Sequence, residues 1–259
     1  MSATFRPVAI NTFREAVRDR VLYNLVLFAL LMIGAAVLVG GVSIGIEQLV
    51  IVNLGLSSIS IFGLVIAIFI GVGLVYKEIE KRTLYSLLAK PIKRWEFLVG
   101  KYAGLLLTLL VNTAFMTLGL AAAFFYVGGR VARADVWILV AIYFILLELA
   151  LVTALAMFFS CFSSPLLSTL YTLGIYLTGV FAADIRGIGD FTKNPAVLYL
   201  TRAIYYVVPN FHNFNAIATA AHGDPIPLAL IGQNSLYALL YVTLLLIASA
   251  AVFSRRNLK

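Results

Sequence analysis

The chain has 259 residues, of which 63% are hydrophobic and only 12% are charged, and its formal net charge is +8. A soluble domain is roughly 45–50% apolar and about 25% charged, so this chain lacks the polar residues that would cover a water-facing surface. The composition therefore excludes a soluble globular enzyme, a disordered chain, a coiled coil and a nucleic-acid-binding protein. It is typical of a polytopic membrane protein, in which positive charge marks the loops on one side of the bilayer.

Six segments are long and apolar enough to cross a membrane as helices. A crossing of about 30 Å needs about 20 residues at a rise of 1.5 Å each. Four windows lack Asp, Glu, Lys and Arg, and a fifth contains only Glu148 and is divided by Ser163-Ser164-Pro165. Proline after polar residues is a helix-start signal, which places a turn at 161–164. The predicted spans are 22–42, 54–76, 102–127, 136–160, 165–183 and 229–252.

The stretch 203–223 also lacks those charged residues but is rich in Asn, His and Pro. Exposure of each such polar group to lipid is unfavourable by several kcal/mol. We therefore expect residues 184–228 to hold an interfacial or re-entrant segment on the extracytoplasmic side, and not a seventh span. Its two histidines, His212 and His222, are expected to be solvated loop residues, with bound metal as the alternative.

The basic residues predict which side each loop occupies. With six spans, four segments lie on the same side of the membrane and carry 14 of the 19 Lys and Arg residues. They are residues 1–21, 77–101, 161–164 and 253–259. Cytoplasmic loops hold the Lys and Arg excess, so both termini are expected in the cytoplasm. We expect one all-α membrane domain over residues 1–259 and no soluble domain.

Residues 4–20 are predicted to form an amphipathic helix that lies on the membrane instead of crossing it. Apolar residues from Phe5 to Val21 recur at steps of three and four, and charged residues such as Arg14 and Asp19 occupy the other faces. Such a helix binds the headgroup region through its apolar face and its cations. A simple membrane anchor is the alternative to a more specific role.

The segment 77–101 combines a high density of charge with an apolar stripe. Ten of its 25 residues are charged. Apolar residues from Ile79 to Leu88 recur at helical spacing, Pro91 ends this pattern, and a second short amphipathic piece begins near Trp95. A structured helix–break–helix is therefore predicted, and a plain solvated run of charges is the alternative.

Particular positions in this segment carry a family resemblance. They are Lys77-Glu78, Glu80, Thr83-Leu84, Leu87-Leu88, Pro91, Arg94, Glu96 and Gly100-Lys101. Their spacing resembles that of the permease subunit of type-2 ABC transporters. Residues 11–19 are similar to the connecting helix of that family, residues 205–211 to its extracytoplasmic segment, and residues 253–256 to its C-terminal end.

The resemblance implies partners, a coupling site and a cellular location. It implies that this chain pairs with a second permease copy or a homologous permease, and that two cytoplasmic ATPase subunits bind the ATP and Mg. In that family the loop after the second helix is a coupling helix seated in a cleft of the ATPase, which here implies residues 77–100. The implied coupling residues are Glu78, Glu80, Arg82, Thr83, Pro91 and Arg94. The family consists mostly of bacterial and archaeal exporters, which implies an ATP-driven exporter in the plasma (inner) membrane.

The chain has no nucleotide-hydrolysis motif of its own. Gly100-Lys101 is not a P-loop, because Trp95 stands where the first glycine is needed and Tyr102 where Ser or Thr is needed. We therefore expect a transport subunit that is not an enzyme and binds no cofactor itself. A secondary transporter or channel is the alternative, and it would carry more intramembrane charge. An intramembrane enzyme would need a convergent catalytic set that the sequence does not suggest.

Glu148 is the one ionisable residue predicted to lie well inside a span. Exposure of such a side chain to lipid is unfavourable by several kcal/mol, so an intramembrane carboxyl is a functional hypothesis by default. Glu148 is expected either to bind a cationic substrate or relay protons, or to make a hydrogen bond that packs two helices together.

Overall fold

In a computed structural model, the described residues are 5–43, 45–80, 94–127, 135–192 and 194–255, and at 74–80, 94 and 255 the description covers the backbone alone. These residues form helices and turns with no strand among them, so the all-α prediction is confirmed. The helices are α1 (Phe5–Val17), α2 (Arg20–Val42), α3 (Glu47–Glu80), α4 (Arg94–Tyr126), α5 (Val136–Ser160), α6 (Pro165–Val180), α7 (Ala182–Phe191), α8 (Pro195–Val207), α9 (Ile217–Ala221) and α10 (Leu228–Arg255), with a 3-10 turn at Phe211–Phe214.

Five of these helices are long and apolar enough to cross a membrane, namely α2, α3, α4, α5 and α10. The pair α6 and α7 meets the same criterion only jointly, and the two helices are bent by 58° at their junction. The described part of the chain therefore has five candidate spans, or six if the bent pair counts as one. The predicted fifth span, 165–183, is continuous only as far as Val180, because Phe181 leaves the helical conformation with φ −92° and ψ 11°.

The turn predicted at 161–164 is present. α5 ends at Ser160, and α6 begins at Pro165 with Ser164 as its N-cap. Proline suits this position because the N–H that it lacks would have no intrahelical acceptor there. The φ angle fixed by the proline ring is also close to that of a helix.

α3 and α4 extend beyond the predicted spans into the charged segment. α3 begins at Glu47 and continues to Glu80, and α4 begins at Arg94 instead of near residue 102. The second amphipathic piece expected near Trp95 is therefore not separate, because it forms the first turns of α4. Lys, Glu and Arg are good helix formers, so charged residues end an apolar window without ending the helix.

α5 is the central helix of the bundle. In its apolar span 61% of the residues are buried, compared with 22% for α2 and 28% for α10. α5 packs against α3, α4, α6 and α10, and it is apolar on every face, as expected for a helix surrounded by others. α2 and α10 instead expose large apolar side chains such as Leu38 and Leu244, which suits contact with lipid.

Small residues bring α3 and α5 into close contact. Gly63, Ala67 and Gly71 recur every four residues on the buried face of α3. A Cβ placed at Gly71 would lie 2.7 Å from the Cβ of Ala156, and one placed at Gly63 would lie 2.7 Å from Cδ1 of Leu149. Small residues at this spacing allow two helix backbones to approach closely inside a membrane.

Between α6 and α10 the chain forms short helices at the end of the bundle opposite α1. α7 and α8 are joined by an ion pair between Arg202 and Asp190, with 3.2 Å between Nη2 and Oδ1. The backbone N–H of Asn210 donates to the Tyr237 hydroxyl of α10 at 2.8 Å, and α9 packs against α3 and α5. Within the described residues no membrane span lies between α8 and α10.

Candidate functional site

α1 packs across the first turns of α4 at two glycines. Thr12 is a buried residue of α1 on this face. A Cβ placed at Gly104 would lie 2.5 Å from the carbonyl oxygen of Ala9 and 2.7 Å from the Cβ of Thr12. Gly100, one helical turn earlier, contacts the same helix. Glycines at this spacing let α1 lie directly on the backbone of α4.

Lys101 lies next to this contact, and its side chain is only 1% exposed. Its Nζ is 5.1 Å from the centroid of the Phe97 ring. The Phe97 ring stacks in turn on Phe253 of α10, with 6.5 Å between the ring centroids. A lysine is seldom buried this deeply unless neighbouring groups compensate for its lost hydration. The beginning of α4 therefore joins α1 and the end of α10 around one buried cation.

Glu148 lies at the midpoint of α5 and is 7% exposed. Its Oε1 accepts a hydrogen bond of 2.8 Å from the hydroxyl of Tyr176 on α6. In the part of the chain that the structure describes, no basic side chain lies within ion-pair distance of this carboxyl. Glu148 thus makes an interhelical hydrogen bond, and a functional role for it stays a prediction.

A polar cavity of about 80 Å³ lies beside Glu148. Its polar lining is contributed by Ser60, Glu148, Tyr176, His212 and Asn215. Glu148 is buried whereas His212 and Asn215 are exposed, so the cavity connects the protein surface with the buried carboxyl. The segment between α8 and α10 therefore reaches the level of the middle of α5.

Comparison with known proteins assigns the chain to a family. No curated protein matches the chain at a significant level. The family described as ABC-2 family transporter protein matches residues 6–258, which is nearly the whole chain. The chain belongs to the ABC-2 transporter family. This ABC-2 permease is thus a multi-pass membrane protein of the transport-subunit type, and the resemblance carried by the segment 77–101 is confirmed.

The coupling residues predicted for the ABC-2 permease lie at the ends of two helices and in the segment between them. Glu78 and Glu80 belong to the last turn of α3 and Arg94 is the first residue of α4, with only the backbone described at all three. Arg82, Thr83 and Pro91 lie outside the described residues. The assignment of these six residues to a partner surface stays a prediction.

The sequence did not identify two features of the ABC-2 permease. Lys101 falls in the charged segment 77–101, which the sequence assigns to the cytoplasmic side, and nothing in the sequence predicts that its side chain is buried. The sequence predicts residues 184–228 as an extracytoplasmic segment, and the contact of His212 and Asn215 with the cavity beside Glu148 is found only in the structure. No local signal connects them, because only the tertiary fold brings this segment against the middle of α5.

Proposed function

We propose that this ABC-2 permease is the membrane-spanning subunit of an ATP-driven exporter. It forms the translocation pathway as a dimer, with a second copy or a homologous permease, and it is coupled to separate cytoplasmic ATPase subunits that bind ATP and Mg. The family match over residues 6–258 carries the proposal. Both termini lie in the cytoplasm of a bacterial or archaeal cell and the chain crosses the plasma membrane, as the excess of basic residues favours.

The segment 77–100 is proposed as the surface that the ATPase contacts. This segment is connected directly to two long helices, because α3 runs to Glu80 and α4 begins at Arg94. A helix behaves as a stiff rod over this length because its backbone hydrogen bonds hold the rise of each residue. A displacement of the segment is therefore passed along α3 and α4 into the bundle.

The contact of α1 with α4 supports the same route. α1 lies on α4 at Gly100 and Gly104, within the first turns after Arg94. A movement of the beginning of α4 must therefore carry α1 with it or separate a closely packed interface. In this proposal the connecting helix and the coupling segment respond to the ATPase together.

Charge reversal in the coupling segment tests this assignment. In a complex of the permease with its ATPase, Glu80→Lys and Arg94→Glu are each expected to lower ATPase retention or ATP hydrolysis at least about tenfold. Each reversal replaces an attractive contact with the ATPase by a contact between like charges, which is unfavourable by several kcal/mol. Asp224→Lys is the matched control, because Asp224 is exposed at the opposite end of the bundle. Retention and hydrolysis are measured on variants whose helix content and elution volume match those of the wild type.

The control variant is expected to behave as the wild type. Normal ATPase retention and normal hydrolysis in both Glu80→Lys and Arg94→Glu would contradict the assignment of this segment as the coupling surface. Equal loss in Asp224→Lys would also contradict it, because the effect would then not depend on position.

A further inference from the structure

The cavity beside Glu148 combines a buried carboxyl with an open rim. Its lining contains no Lys or Arg, and its one imidazole, that of His212, belongs to an exposed residue and forms no ion pair with Glu148 among the described residues. An ionised carboxyl removed from water is strongly unfavourable unless a positive charge accompanies it. We propose that this cavity binds a compact monovalent cation, either an alkali metal ion or the protonated amino group of a small amine. The site is distinct from the proposed coupling segment and does not depend on an ATPase.

The carboxyl of Glu148 retains capacity for a further partner. A carboxylate has about four lone-pair sites, and the Tyr176 hydroxyl occupies one of them at 2.8 Å from Oε1. Because Glu148 lines the cavity, its remaining acceptor sites are available to a cation held there. Tyr176 also restricts the rotamer of Glu148 and so holds the carboxyl at the cavity.

Two further side chains of the lining supply neutral oxygen atoms that suit a cation. The hydroxyl of Ser60 and the amide oxygen of Asn215 are hard oxygen ligands. Asn215 Oδ1 is oriented by a hydrogen bond of 3.3 Å from the backbone N–H of Ile217. The buried rings of Phe211 and Phe214 also line the cavity, and the face of an aromatic ring attracts a cation.

Charge and volume restrict the class of cation. One carboxyl balances one positive charge, and across the described residues no group of three or more His, Cys, Asp and Glu is placed to hold a metal ion. A divalent ion such as Ca²⁺ takes several carboxylate and carbonyl oxygens. A cavity of about 80 Å³ has room for a small ion with a few waters but is far below the roughly 300–1,000 Å³ of sites for drug-sized ligands.

A bound cation would connect elements that are far apart in the chain. Ser60 belongs to α3, Glu148 to α5 and Tyr176 to α6, and His212 and Asn215 belong to the segment before α10. A ligand that binds only the folded arrangement stabilises it by mass action. The cation is therefore expected to raise the melting temperature of the whole permease.

Thermal unfolding of the purified full-length chain in detergent tests the proposal. Sodium, potassium and methylammonium chloride are compared with tetrapropylammonium chloride at equal ionic strength, because the last cation is too large for the cavity. The melting temperature is expected to rise with at least one compact cation and to stay unchanged with tetrapropylammonium. The alkali and methylammonium arms identify which source of positive charge the cavity accepts. No difference between compact and bulky cations in the wild type would overturn the proposal.

Two acidic residues provide the matched variants. Glu148→Gln keeps the size of the side chain and an acceptor for Tyr176, and it is expected to abolish the cation-dependent shift. Glu47→Gln removes a carboxyl whose Oε1 accepts a hydrogen bond of 2.9 Å from the backbone N–H of Gly45 at the start of α3, and it is expected to keep the shift. A purely structural Glu148 would change the melting temperature equally in every salt. A cation-dependent shift that persists in Glu148→Gln would also overturn the assignment.

A measurement on the wild type covers the case in which Glu148→Gln does not fold. A hydrophobic carbodiimide modifies protonated carboxyls, and the modified peptide that contains Glu148 is quantified by mass spectrometry. At ten times its half-saturating concentration, the compact cation is expected to lower labelling of Glu148 about tenfold, because only the unoccupied fraction reacts. Equal labelling in all four salts would overturn the proposal.

Discussion

At the residue scale, single methyl groups determine whether α3 and α5 can pack as they do. A Cβ at Gly71 would lie 2.7 Å from the Cβ of Ala156 and 3.4 Å from the carbonyl oxygen of Thr153, whereas no described atom lies within 4 Å of a Cβ at Gly73. Gly71→Ala is therefore expected to lower the free energy of unfolding by about 1–3 kcal/mol. Gly73→Ala is the control on the same helix and is expected to raise it by up to about 1 kcal/mol through helix propensity.

Unfolding of both glycine variants in detergent measures this difference. Equal stability of Gly71→Ala and Gly73→Ala would contradict the close contact between α3 and α5, because the two substitutions add the same methyl group to opposite faces of one helix.

Glu148 illustrates how far a residue can be understood from the sequence. It is recognisable as unusual because it is the one charged residue in residues 136–183. Its partners are not recognisable, because an apolar pattern shows which segments cross the membrane but not which faces meet. Tyr176 stands on the next helix and His212 on a later segment, and only the folded chain brings them to the same cavity.

At the scale of elements, the sequence predicts the existence of the spans better than their ends. Pro165 gives a correct helix start because its ring favours that position physically. The beginning of α4 is predicted too late because Lys101 ends the apolar window but continues the helix, which begins at Arg94. α3 also begins earlier than the predicted residue 54, at Glu47. The bend after Val180 is not predicted, because no proline or charge stands at Phe181 to signal it.

The attachment of α1 to α4 gives a prediction at this scale. Gly104→Val is expected to push α1 away from α4, because even a Cβ at this position would lie 2.5 Å from the backbone oxygen of Ala9. Amide hydrogen exchange in residues 5–17 is then expected to rise at least about tenfold, since local opening becomes easier. Gly34→Val is the matched control, because a Cβ at Gly34 of α2 meets no described atom within 4 Å.

The exchange measurement has a clear contrary outcome. Unchanged protection of α1 in Gly104→Val would contradict the close packing of the two helices. A rise of the same size in Gly34→Val would show that the added side chain acts through general destabilisation instead of through this contact.

At the scale of the whole molecule, the two ends of the bundle differ in their chemistry. One end holds α1, the beginning of α4 and the buried Lys101. The opposite end holds the short helices from α7 to α9, and from there the cavity leads to Glu148. The low content of charge is enough to predict a membrane protein, and the position of 14 of the 19 Lys and Arg residues predicts its orientation. The cavity depends on tertiary contacts and has no counterpart in the composition.

Purification of the tagged permease in mild detergent at low salt tests the central proposal most directly. The proposal predicts that a P-loop ATPase subunit is retained in stoichiometric amount, and that the complex hydrolyses ATP while the permease alone does not. The contrary result is a permease that never retains an ATPase and that moves its substrate across vesicle membranes without ATP. That result would favour a secondary transporter or channel and would contradict the assignment of residues 77–100 as a coupling surface.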